Sequence, residues 1–190
     1  RERLEREGRK NLTIWSAGCS TGEEAYTCAI LLRESPALDG WTLRVVGTDI
    51  STRVLASARA GVYGESSFRT TPPDQRARYF ERRADGARVV DSIRRVCSFH
   101  RVNLLNPAEY DVVGSVDVIF CRNVLIYLTP AARHQIVEAF YDTLSPGGFL
   151  LLGHSENLLN VNTRFAHVHF ENDLVYQKPL EVGTRGTSTR

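Results

Sequence analysis

Short apolar runs, each closing on a glycine or a polar cluster, alternate along this chain with segments whose apolar residues recur at helical spacing. The first run, Leu12–Ala17, ends at Gly18 and reads as a strand. The segment of about Gly22–Glu34 places Ala25, Cys28, Ala29, Leu31 and Leu32 at helical spacing, and Ser35-Pro36 and Asp39-Gly40 break it. Leu43–Val46 is a second strand core that runs into Gly47-Thr48-Asp49. Ser51 is placed to cap a helix over Thr52–Ala60, which stops at Gly61. Pro72–Phe80, with Pro and Asp in its first turn, predicts another short helix. Ser98–Val102 and Val116–Phe120 are further strands. Thr129 caps a helix over Pro130–Leu144, whose apolar face includes Ile136, Val137, Phe140 and Leu144. Ser145-Pro146-Gly147-Gly148 is expected to end it before the strand Phe149–Leu152, and Phe165–Phe170 and Leu174–Gln177 are expected to pair around Asn172-Asp173.

Strands alternating with helices imply right-handed βαβ units and an α/β fold with a mainly parallel sheet. Near-continuous apolar strands fit a sheet covered on both faces. In such sheets ligands bind outside the carboxyl ends of the strands, near the switch point of strand order. Glu81–Val96 departs from this rhythm: it is Arg-rich, turns at Ala84-Asp85-Gly86 and alternates on both sides, so it predicts a β-hairpin set apart from the main sheet. The expected organisation is therefore a charged helical linker remnant over 1–11, frayed over Arg1–Lys10, and one domain over 12–179. Residues 81–97 form an inserted β-subdomain, and 180–190 a polar, Gly/Thr/Arg-rich disordered tail.

A net charge of +2 argues against a nucleic-acid binder working through a large basic field. No apolar run approaches the roughly 20 residues that span a bilayer, so no membrane insertion is expected. The start is charged rather than signal-like, and the absence of any Met predicts that the chain was cut from a longer polypeptide. Cys19, Cys28, Cys97 and Cys121 form no CxxC pair and have no His at ligand spacing. Reduced thiols in a cytoplasmic protein, with no metal site, are the expectation.

The candidate chemistry lies at the strand ends. Ser16-Ala17-Gly18-Cys19-Ser20-Thr21-Gly22 joins the first strand to the first helix, and its glycines would let a ligand approach the backbone. The helix then opens with Glu23 and Glu24, which a pyrophosphate at that helix end would repel. That disfavours a dinucleotide dehydrogenase and suits a cationic ligand such as the ammonium of a methionine moiety. The acids could equally complement the helix dipole, and helical spacing alone does not choose between them. Asp49 ends the second strand, where it can accept ribose hydroxyls or cap the helix after Ser51. Asn103 and Leu104 offer an amide and an apolar edge, as an adenine pocket or a plain turn would. Arg122-Asn123 and Tyr127 follow the fourth strand, Tyr127 either as a site residue or as a core tyrosine. His154-Ser155-Glu156 suggests a hydrolytic triad, but no nucleophile elbow or chain order supports one.

In order along the chain, IWSAGCSTGEEAY, GTDIS, VNLL, DVIFCRNVLIY and LLLGHSEN resemble the chemotaxis receptor methyltransferase (CheR) family from about Leu12 to Pro179. The combination of GCSTGEE, CRNVLIY and GHSEN is far more specific than any one glycine loop. The resemblance implies a Rossmann-like class I methyltransferase fold: a mainly parallel seven-stranded sheet, helices on both faces and a small inserted antiparallel β-subdomain. It implies S-adenosyl-L-methionine as cofactor, S-adenosyl-L-homocysteine as product, and glutamate side chains on the cytoplasmic domain of a chemoreceptor-type protein as acceptors. By the same match Glu24 is the cofactor acid, Asp49 holds the ribose, and Asn103 and Leu104 contact the adenine side. Arg122 and Asn123 line the cofactor near the reacting end, and Tyr127 lies beside the transferred methyl. The family's N-terminal helical domain, and a Thr/Phe/Arg-containing segment ahead of the first strand, do not stand in this sequence, so the chain alone is expected to bind cofactor weakly. The short loop around Arg83-Ala84-Asp85-Gly86 lacks the richer glycine pattern with which some relatives grip a receptor's C-terminal peptide, so no such tether is expected. A methyltransferase for another acceptor and a non-catalytic docking module are the competing readings.

Overall fold

The computed structural model describes residues 1–158, 164–170 and 174–180. The chain opens with α1 (Glu2–Arg6), then β1 (Asn11–Ala17), α2 (Glu23–Glu34), β2 (Thr42–Asp49), α3 (Thr52–Ala60) and β3 (Val62–Tyr63). There follow α4 (Pro73–Tyr79), β4 (Phe80–Arg83), β5 (Gly86–Val89), α5 (Asp91–Arg94), β6 (Cys97–Arg101) and β7 (Val116–Cys121). Last come α6 (Pro130–Thr143), β8 (Leu144–Leu152), β9 (Ala166–His169) and β10 (Leu174–Gln177). Among the described residues the main sheet has seven strands in the order β6-β2-β1-β7-β8-β10-β9, and β10 alone runs against the rest. The expected fold class is the one observed.

The two-residue period of the strands sends alternate side chains to opposite faces. In β1 and β2, Ile14 and Val45 join the core under α2 and α3, whereas Trp15, Ala17 and Val46 join the core under α6. Trp15 is fully buried, packs edge-on against Tyr110 and Phe140, and donates its indole N–H to the buried Thr48 Oγ1 at 2.8 Å. That bond removes the cost of burying a polar indole in the middle of the sheet.

Four sequence expectations change. In α2 the buried face is Ala25, Tyr26, Cys28, Ala29 and Ile30, while Leu31 is exposed. Tyr26 turns the helix, because its hydroxyl donates to the Ala58 carbonyl at 2.9 Å and its ring meets Phe99. Second, the expected hairpin ends at Val89: Asp91–Arg94 is helical, and β3 adds to β5 to make a separate sheet ordered β3-β5-β4. Its Ala87 and Val89 share the core of α2 and α3, so it is a distinct sheet without a distinct core. Third, Ser145–Gly148 belongs to β8 rather than to a turn. The strand bulges there, between its pairings with Val116 and Val118; the N–H of Gly147 (φ 74°) donates to the Lys178 carbonyl, and the Lys178 N–H donates to the Gly148 carbonyl. The Lys178 ammonium also donates to the carbonyls of Tyr141 and Leu144, closing the end of α6. Residues 181–190 of the expected tail and the Asn172-Asp173 turn lie outside the described residues.

Fourth, the start of the chain is tied down rather than frayed. Leu4 is buried, and the side chains of Arg3 and Arg9 reach Asp117 on β7 at 3.3 and 3.0 Å. Asp117 is only 2 % exposed and also accepts the Thr13 N–H at 3.0 Å. Removing its carboxylate would take one acceptor from each of two guanidiniums, which keep Glu7, and leave the Thr13 amide without its acceptor. We expect Asp117→Ala to lower stability by about 1–3 kcal/mol, the cost of lost bonds to charged groups that can partly re-solvate. It should appear in urea unfolding as a lower midpoint at unchanged m; an unchanged midpoint would show that the clamp contributes nothing.

Candidate functional site

Parallel pairing brings the carboxyl ends of β6, β2, β1, β7 and β8 to one edge, and the loops that follow β6, β2, β1 and β7 enclose a cleft of about 400 Å³. That is within the range of small-molecule sites. It opens where the order reverses, since β1 crosses to β2 on one side and has β7 on the other. Asp49, Asn103, Leu104, Asn123 and Tyr127 all line it. Gly18, Ser20, Ile50, Val102, Leu105, Val124, Leu128 and Ile136 complete the wall, giving a mainly apolar cleft with a few polar groups.

Of the two roles considered for an acid at that position, Asp49 fills the capping one and adds a second backbone bond. Its Oδ1 accepts the Ser51 N–H at 2.9 Å, which serves α3, and its Oδ2 accepts the Ser20 N–H at 3.0 Å. Ser51 occupies the N-cap position, but its own side chain makes no cap bond. The second Asp49 bond holds Ser20 at φ 48°, an unusual backbone for a residue with a side chain. Each carboxylate oxygen can accept more than one bond, so Asp49 keeps acceptor capacity toward the cleft.

Glu24 and Arg122 do not line the cleft; they pair with each other beside it, at 3.6 Å. Glu24 also accepts from the Ser16 hydroxyl at 2.7 Å. Its neighbour Glu23 faces away, bonded to the hydroxyls of Thr21 at 2.6 Å and Ser67 at 3.3 Å. Packing thus separates two acids that helical spacing could not: Glu24 turns to the end of β1 and Glu23 to the segment after β3.

Tyr127 is 81 % exposed at the mouth of the cleft, so it is not a core tyrosine. Asn103 spends its side-chain oxygen on the Leu105 N–H at 3.1 Å, and Leu104 gives its carbonyl to the Tyr110 hydroxyl at 2.6 Å. Both therefore reach the cleft from a loop fastened by its own bonds. Gly18 (φ 77°) lines the cleft and is also needed for protein packing, since a Cβ there would lie 2.5 Å from Val124 Cγ2. Burial pushes the Cys19 thiol up to about 12, with Asp49 adding to the effect, so this cysteine supplies no thiolate beside the cleft.

Two carboxylates have roles that the sequence does not show. Glu156 accepts backbone N–H groups from Asn123, Val124, Ile126 and Gly153 at 2.7 to 3.2 Å. A carboxylate so occupied by backbone is not orienting a histidine, which removes the triad suggested by His154-Ser155-Glu156. Glu109 accepts the Asn103 N–H at 2.8 Å and the Asn106 side-chain N–H at 3.0 Å. The spacing Asn106-x-x-Glu109 at a helical start was the available signal for Glu109; no periodicity marks Glu156.

Residues 1–173 match the family described as CheR methyltransferase, SAM binding domain. The chain belongs to the CheR family. It is 39 % identical over 170 residues to chemotaxis protein methyltransferase 2 of Vibrio cholerae, a match covering 88 % of this chain and 59 % of that one. It is 40 % identical over 157 residues to the chemotaxis protein methyltransferase of Salmonella typhimurium, covering 80 % and 54 %. The corresponding Escherichia coli protein is 38 % identical over 156 residues, with the same coverage of 80 % and 54 %. The chain thus spans between half and two thirds of the length of these relatives. The CheR domain it matches takes S-adenosylmethionine, and the cleft suits that molecule: apolar walls for a purine, and a carboxylate with spare acceptor capacity at the switch point.

Backbone and Asn106 bonds hold the Glu109 carboxyl below the usual range, the Asn103 N–H first among them. A carboxylate depressed in the folded state stabilises fully above its unfolded pKa and loses that contribution as pH falls through the folded one. The stability gap between wild type and Glu109→Gln should therefore be full near neutrality and close as the solution is taken below about pH 4. Urea midpoints across that range check it; a gap that widened on acidification would show that the carboxylate is not the stabilising form.

Proposed function

We propose that this chain is the cofactor-binding and catalytic domain of a protein-glutamate O-methyltransferase acting on the cytoplasmic part of a chemoreceptor-type protein. The observation that carries the proposal is the placement of Asp49, Asn103, Leu104, Asn123 and Tyr127 around one cleft at the switch point of a CheR-family domain. The products are a γ-glutamyl methyl ester and S-adenosyl-L-homocysteine. The relatives' names as chemotaxis protein methyltransferases support the acceptor class, and the cytoplasm follows from it. Among the described residues no helix is long and apolar enough to cross a membrane.

Bound S-adenosylmethionine supplies a sulfonium methyl, an electrophile that needs no metal. Asp49 would hold the ribose hydroxyls, and Ile50, Leu104 and Leu105 would enclose the purine. Glu24 would face the ammonium end, its charge shared with Arg122. Asn123 and Tyr127 would stand at the reacting end. A glutamate side chain has a pKa near ~4.3 and is ionised at neutral pH, so no general base is required of the protein. The domain's task is to align two reactants and exclude water, and alignment can supply up to roughly 7–11 kcal/mol of the barrier. Opposite charges on nucleophile and electrophile cancel as the methyl moves, so a cleft of low polarity assists. The β4–β5 connection is only Ala84-Asp85, with Arg83 paired to Gly86, which supports the reading that this hairpin does not grip a receptor tail.

In the full-length protein Tyr127→Phe should lower kcat by roughly tenfold or more while leaving affinity for S-adenosylhomocysteine nearly unchanged, as expected for a group acting at the reacting end. Asp49→Asn should weaken calorimetric binding of S-adenosylhomocysteine by roughly 10- to 100-fold, the worth of bonds to a charged acceptor. Base-labile release of methanol from methylated receptor identifies the carboxylate ester. Unaltered methylation by the Phe variant would remove Tyr127 from its role, and a stable, base-resistant product would replace glutamate as the acceptor.

A further inference from the structure

We infer that Glu156, on the loop after β8, is a positioning residue that sets the reacting side of the cleft by holding the β7–α6 loop in shape. The inference rests on the cleft being the cofactor site. Four backbone N–H groups converge on this one carboxylate: Asn123 at 2.7 Å and Gly153 at 2.9 Å on Oε2, Val124 at 3.0 Å and Ile126 at 3.2 Å on Oε1. Three of the four donors lie in the short segment that leads to Tyr127. Asn123 there has φ 59°, a left-handed backbone that a residue with a side chain holds only when its surroundings over-determine it. Turned this way, Asn123 brings its N–H into line with those of Val124 and Ile126, forming a nest of amides that suits a carboxylate.

The contact reaches the cleft through two residues. Asn123 and Val124 both line it, and Val124 fills the notch left by the absent side chain of Gly18. Glu156 thus fixes three loops in sequence: its own after β8, the one after β7 by direct bonds, and the one after β1 through Val124. Gly153 leaves the space, since a Cβ there would lie 2.8 Å from Glu156 Oε2. A glutamine fits the same volume but presents one acceptor where the carboxylate presents two. Its amide would turn N–H groups toward backbone N–H groups on one side of the nest.

The test compares wild type with Glu156→Gln in the full-length protein. In the wild type, hydrogen exchange at the amides of Asn123, Val124 and Ile126 should be slowed at least about tenfold relative to unbonded loop amides. In the variant that protection should be lost while the amides of β1 and β7 keep theirs. Affinity for S-adenosylhomocysteine should fall about tenfold or more and kcat should fall with it, with KM for the receptor unchanged within about twofold. A role in overall stability alone would move exchange throughout the sheet and spare the cofactor step. Unprotected amides in the wild type, or a variant with unchanged cofactor affinity, overturns the inference. The wild-type exchange measurement needs neither ligand nor variant, so it decides whether Glu156 holds the loop even if the cofactor reading fails or the variant does not fold.

Discussion

Every strand that ends at the carboxyl edge of a parallel sheet hands on to a loop whose backbone N–H groups have lost their ladder partners. In this protein carboxylates supply several of the acceptors, and backbone carbonyls others, as Thr48 does for Gly18 and Cys19. Asp49 takes the amides of Ser20 and Ser51, Glu109 that of Asn103, and Glu156 those of Asn123, Val124, Ile126 and Gly153. An unpaired buried amide costs about 1–3 kcal/mol, and a loop that must leave several unpaired would move until water reached them. These loops thus have acceptors that do not depend on a ligand. Two of its residues, Ser20 and Asn123, adopt left-handed backbones, and in both the N–H is the donor to such a carboxylate.

This arrangement also explains how one set of groups serves both fold and site. A carboxylate accepts about four bonds, and an amide neutralises none of its charge. Asp49 can thus fasten two loops and still present a negative oxygen to a ribose. Glu24 is different: a guanidinium shares it, so its field is partly offset by Arg122. Asp49 and Glu24 therefore differ in surroundings: Asp49 lines the cleft and meets only neutral N–H groups, whereas Glu24 lies beside the cleft and is paired with a cation.

The strands, the βαβ order and the place of the cleft were legible because each follows from a local pattern: apolar runs for buried strands, helical spacing between them, and a switch point fixed by topology. That Asp49, Asn103, Asn123 and Tyr127 lie at the carboxyl edge was legible for the same reason, as each stands at or within a few residues of a strand end. Glu156 was not, because its partners lie some thirty positions earlier and are backbone groups, which have no sequence signature. The bulge at Ser145–Gly148 was misread because Ser-Pro-Gly-Gly is turn chemistry locally, and only pairing with Lys178 makes it strand. Leu31 was misplaced for a similar reason: the orientation of α2 is settled by Tyr26 reaching Ala58, a contact between two helices.

The opposite edge of the sheet shows why an acid at a strand is not by itself a site. Asp117 is more deeply buried than Asp49 and has two arginines as well as an amide. Bringing a carboxylate that far from water is tolerable only with cations beside it, and those cations cancel the field that a ligand would feel. Asp49 is half-buried, is met by neutral N–H groups and opens on an apolar cleft, so its charge stays available across a medium that screens it weakly. The two acids share a residue type and a sheet. What separates the two is whether the partners of the carboxylate are cations or amides.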